Sequence, residues 1–147
     1  MIQYRNGKFI CGGRVAIKLP DNVWLDFDPP VIPEHGMIFC SPDLKTKIDV
    51  DLLEIAQEPR TYLQDFAEGF DSYQPIRDLC HVRIGALEGY GMAYATEHEV
   101  YEEYALSVPG DPPALLNVCL EQRRDDPADR AIYVRVRDEL LQGIEPI

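Results

Sequence analysis

The chain has no Cys-x-x-Cys pair, no uninterrupted apolar run of membrane-spanning length, no low-complexity segment and no internal repeat. Without a paired-cysteine spacing, neither a structural zinc site nor a redox dithiol is expected. Cys11, Cys40, Cys80 and Cys119 stand far apart and read as reduced, mostly buried small hydrophobes. The first residues, Met1 to Lys8, hold no apolar signal core, so the chain is expected in the cytoplasm, with no membrane partner.

Positive charge is also scarce. Fourteen Lys and Arg face 26 Asp and Glu, a net charge of -12. A field of that sign repels phosphate backbones and anionic lipid, so nucleic acid is not expected as a partner. Its plain reading is solubility; its sharper one is that a basic protein or peptide is steered to the surface.

The motifs of common chemistries are missing too. There is no Gly-x-Ser-x-Gly elbow, no Gly-x-Gly-x-x-Gly, no P-loop lysine and no His-Glu-x-x-His helix. The densest local polar cluster, Glu97-His98-Glu99-Val100-Tyr101-Glu102-Glu103, alternates its side chains if it forms a hairpin tip, so it reads as a solvated turn. Cys80 and His81 are neighbours that a strand would point apart, and His35 near Cys40 is the other Cys–His pairing. Asp49 and Asp51 share a strand face, as do Asp26 and Asp28, and both pairs read as structural. No catalytic residue, metal ligand or cofactor site is assigned, and the chain is not expected to be an enzyme.

What is present is an ordinary globular composition, with 46% hydrophobic and 27% charged residues over 147 positions, which suits one domain spanning 1–147. Residues 4–10 and 14–19, divided by Gly12-Gly13, predict an opening hairpin, with Val15, Ile17 and Leu19 on one face. Residues 23–27 and 37–41 read as strands around a proline-rich loop at 28–36. Ile48, Val50 and Leu52 alternate with Lys47, Asp49 and Asp51, a half-buried strand.

The period then changes. Leu63, Phe66, Ala67 and Phe70 fall at helical spacing after Pro59, with Gly69 and Pro75 as stop signals. Strand signals return from Cys80, with a turn expected at 87–91, further strands from 92, at 100–108 and at 115–122, and a Pro109–Pro113 loop. Asp126 as N-cap and Pro127 at the first position start a closing helix, with Ile132, Tyr133, Val136, Leu140 and Ile144 along one arc. The fold class is therefore α+β: an antiparallel sheet of about six or seven strands with two main helices, as an α/β/α sandwich.

One group of residues suggests recognition. Tyr90, Tyr94, Tyr101 and Tyr104 crowd into one predicted hairpin, and tyrosine favours surfaces where one end of the ring is dry and the other wet. The competing reading is that half of them cover the helices against the sheet.

The order of elements, with the Leu19-Pro20-Asp21-Asn22-Val23-Trp24 corner after the second strand, resembles the PsbP-like fold group. That group takes in a photosystem II extrinsic protein, a Ran-binding nuclear import factor and bacterial proteins of unknown function. The resemblance implies a non-catalytic protein-interaction or assembly module and carries no site residues with it. The alternative is a small-molecule-binding protein or enzyme with a pocket near the proline-rich loops, using His35, Glu97 or His98. Homodimerisation through a sheet edge or the hairpin is the third reading.

Overall fold

A computed structural model describes residues 2–5, 7–20, 24–25, 36–40, 45–69, 73–123 and 127–147; side chains at 2–5, 24–25, 127–129 and 132 are left aside. Of the loop read at 28–36 all but Gly36, residues 21–23 of the 19–24 corner, Asp26, Phe70 and the Asp126 cap lie outside these residues, Asp28 and His35 with the loop.

The chain opens with β1 (Ile2–Arg5), β2 (Lys8–Cys11) and β3 (Val15–Ile17), then β4 (Trp24–Leu25), β5 (Gly36–Cys40) and β6 (Thr46–Leu53). Helix α1 (Pro59–Glu68) leads to β7 (Gln74–Ile84), β8 (Leu87–Ala95), β9 (Glu99–Val108) and β10 (Ala114–Arg123). Helix α2 (Pro127–Gln142) and a short β11 (Ile144–Pro146) close it. Seven strands make one antiparallel sheet in the order β4-β5-β6-β10-β9-β8-β7, and a smaller sheet runs β1-β2-β3-β11. The α+β sandwich expected from the sequence is the one observed.

Local patterning explains most of this. β6 alternates buried and half-buried along its whole length, so Ile48, Val50 and Leu52 enter the core as a period of two requires. That face meets α2 through Tyr133, Val136 and Leu140, and the small sheet through Cys11, Val15 and Ile17. The opposite face carries α1, whose Leu63 is fully buried among Met92, Tyr94 and Ala105. Burying one leucine contributes about 2 kcal/mol, and Leu63 is the single fully buried side chain that α1 offers.

Four expectations change. The opening hairpin grows into a four-stranded sheet, because the run expected at 4–10 divides into the paired strands β1 and β2 and Ile144 pairs as a strand with Ile17. β3 is buried at Val15, Ala16 and Ile17 alike, so it does not alternate. β7 begins six residues before Cys80 and contains Pro75, which as an edge strand it tolerates. The turn expected at 87–91 sits instead at Gly85-Ala86, and Gly89 and Gly91 lie inside β8. They are there for space: a Cβ on Gly89 would come within 1.9 Å of the Ala105 carbonyl oxygen, and one on Gly91 within 2.8 Å of the Tyr104 ring.

Arg14 ties the two sheets together at one end. Its guanidinium donates to the carbonyls of Pro112 at 2.5 Å, Pro109 at 2.9 Å and Val108 at 3.2 Å, joining the β2–β3 turn to the β9–β10 loop. Three carbonyls on one planar cation is a fork that no shorter side chain reproduces. Arg14→Ala is expected to cost about 2 kcal/mol. Urea unfolding reads it, and an unchanged midpoint would show that the clamp carries no stability.

Candidate functional site

The α1 face of the large sheet is built from three adjacent cross-strand rows. Asp49, Cys119, Glu103 and Met92 stand opposite one another on β6, β10, β9 and β8. On either side run Lys47, Glu121, Tyr101 and Tyr94, and Asp51, Asn117, Ala105 and Tyr90. The face is apolar at the β8 end, where α1 covers it, and acidic toward β6.

Glu103 lies at the boundary, with 1% of its surface exposed. Tyr94 donates its hydroxyl to one carboxyl oxygen at 3.1 Å, and Asn117 donates its amide to the other at 2.8 Å. Asn117 also accepts from Tyr62 of α1 at 3.5 Å, which connects the helix to the carboxyl group. Burial pushes Glu103 up to about 7; hydrogen bonds from Asn117, Cys119 and Tyr94 pull the other way, and the negative charge of Asp49 adds to the rise. Burial also raises Asp49, reinforced by Asp51 and opposed by Lys47. The Cys119 thiol is raised well above its ordinary value by burial and then by Glu103.

Burial favours the protonated form of each of these groups. A thiol pushed upward is no nucleophile, and a carboxyl group with 1% exposure has no room for a reacting atom beside it. Among the described residues no three His, Cys, Asp or Glu side chains are arranged to hold a metal ion. Cys80 turns toward the Gly91 carbonyl at 3.6 Å, while His81 meets the Tyr90 ring edge-on, so the neighbours diverge. Glu97 and His98 are exposed at the β8–β9 turn, 3.8 Å apart.

The four tyrosines separate. Tyr94 and Tyr101 stack with ring centres 5.0 Å apart, and Tyr90 shares their face. Tyr104 points to the other face, where it donates to Glu102 at 3.1 Å. Tyr94 and Tyr104 are buried and pack into the core, while Tyr90 and Tyr101 stay half-buried.

A second surface was not legible in the sequence. β7 ends the large sheet, and Gln74 to Asp78 are all exposed, Ile76 by 55%. Irregular pairing with β8 on either side of Arg77 breaks the alternation that would have revealed a strand. Beside it, between β7 and α1, opens a cleft of about 120 Å³ floored by Leu63, Ala67, Tyr73, Leu79, Met92 and Tyr94, with Gln64, Arg77 and Asp78 also lining it. Among the described residues, no helix is long and apolar enough to cross a membrane.

Fold and surface together define a helix-covered antiparallel sandwich with an open sheet edge. Solved structures share that architecture. One is the crystal structure of LpqN, involved in cell envelope biogenesis of Mycobacterium tuberculosis, with a TM-score of 0.67 over 90% of this chain and 82% of LpqN. Identity is 11%, so the likeness shows the fold alone. Neither a protein-family model nor a curated protein sequence matches the chain.

Proposed function

We propose that this chain is a non-catalytic protein-interaction module of the PsbP-like kind, and that its working surface is the β7 edge with the adjoining cleft. The observation that supports this is Ile76: a large apolar side chain, 55% exposed, on a sheet edge beside an apolar cleft. An open edge supplies backbone donors and acceptors to an added strand, and the cleft takes an apolar side chain from it. The occupant is an extended segment of another protein. The net charge of -12 favours a basic one by steering, which added salt would weaken.

Capture from lysate by wild type and by Ile76→Arg tests the surface. A protein retained by the first and lost by the second supports the reading, whereas equal retention removes it. Light scattering on the purified chain tests the homodimer, since a dimer abolished by Ile76→Arg would make the occupant a second copy. The proposal also places the chain in the cytoplasm, supported by its widely spaced cysteines. Recovery in the envelope fraction would instead set it beside the process named for LpqN.

A further inference from the structure

We propose that the ionisation of Glu103 undocks helix α1 from the sheet, so that the wall of the β7 cleft closes or opens with pH. Three observations carry this. Glu103 is buried at the edge of the α1 footprint and is linked to α1 through Asn117 and Tyr62. Against the hydrogen bonds that Glu103 accepts from Tyr94 and Asn117, the charged groups facing it are mostly acidic. β6 presents Asp49 and Asp51, β10 presents Cys119 and Glu121, and β8 presents Tyr94 and Met92. Lys47 on β6 stands one row away, opposite Glu121. On β7, His81 lies against Tyr90, Arg83 lies against Glu88, and Arg77 donates to Tyr104 and lines the cleft with Asp78; on α1 Arg60 is exposed.

The third observation is which wall yields. The strands flanking Glu103 are held by continuous ladders on both sides, whereas α1 is ten residues long, buries one side chain fully and has no side-chain capping bond at Glu58. Elements with few buried contacts open first. Lifting α1 admits water to the carboxylate at the smallest structural loss.

The direction follows from linkage. With α1 docked the carboxyl holds its proton up to about 7; water reaching it when α1 lifts returns it toward the ordinary carboxylate value, and a full return sets the size of the effect. The docked state therefore binds more protons between these values, and raising pH favours the open state. Between pH 5.5 and 8.5 the opening equilibrium is expected to rise about thirtyfold, most of it below pH 8.

Amide hydrogen exchange of residues 59–68 in the purified chain, corrected for the intrinsic pH dependence of exchange, measures this directly. Wild type is expected to show the thirtyfold rise and Glu103→Gln a flat profile. A folded Glu103→Gln with the wild-type profile, or a wild type whose α1 protection is unchanged, overturns the switch. If Glu103→Gln does not fold, carbon NMR of wild type decides: the Glu103 carboxyl and the α1 amides should titrate together near 7, and separate midpoints overturn the proposal. Only the consequence for a partner rests on the interaction reading above. Exchange is read without a partner, so loss of Ile76-dependent capture and loss of the α1 profile are separate failures.

Discussion

Gly89→Ala is expected to cost more than about 3 kcal/mol, enough to leave much of a marginally stable chain unfolded. The added methyl would meet the Ala105 carbonyl oxygen at 1.9 Å, the Ala105 carbonyl carbon at 2.9 Å and the Leu106 Cα at 2.8 Å. All three are backbone atoms of β9, fixed by ladders to β8 and β10, so no rotamer change relieves the overlap. Gly91→Ala is expected to be milder, since its closest neighbours are atoms of the Tyr104 ring. Thermal melts followed by circular dichroism compare the two. A Gly89→Ala protein melting within a few degrees of wild type would show that β8 is not seated against β9 as described.

The second large effect is expected at Arg137. On the α2 face Glu102 is 3% exposed; Arg137 donates to one of its oxygens at 3.0 Å and Tyr104 to the other at 3.1 Å. Arg137→Met removes the only ion-pair partner of Glu102 within 4.0 Å among the described residues and leaves a buried carboxylate facing the Tyr104 hydroxyl, with Arg77 beyond it. Breaking one side of such a pair costs about 3–5 kcal/mol, mostly as the penalty for stranding the other charge. The double variant Glu102→Leu with Arg137→Met should recover most of that loss, because the carboxylate that Arg137 paired is then gone as well. A double variant as unstable as Arg137→Met alone would place the damage in lost arginine packing instead. Urea unfolding of the four proteins completes the cycle.

Gly89 and Arg137 both act on neighbours distant in the chain. Gly89-Tyr90-Gly91 carries a turn signature, and by local rules the turn belonged there. The glycines answer to β9, sixteen residues away at Ala105, and nothing within 87–91 records that neighbour. Glu102 and Glu103 read as part of a solvated acidic turn. In the structure they are among the most buried side chains of β9, one on each face, paired with Arg137 on α2 and with Asn117 on β10. Asp49 and Asp51 were seen to share a face, but that Cys119 and Glu103 complete the row depends on the β6–β10–β9 register.

The sequence by itself determined the alternation of β6, the helical stripe of α1 with Pro59 at its start, the extent of β9 and β10, the Pro127 start of α2, and the acidic balance. Each is a repeat or a count within a few neighbouring residues, and the hydrophobic effect reads such patterns locally. Tertiary structure alone decided that Ile144 would be a strand, that Tyr94 and Tyr104 would be buried on opposite faces, and that β7 would end the sheet with Ile76 in water. It also decided that a carboxyl group would sit beneath α1. Cross-strand register sets all of these, and it joins residues tens of positions apart that acquire a shared environment only when the sheet closes.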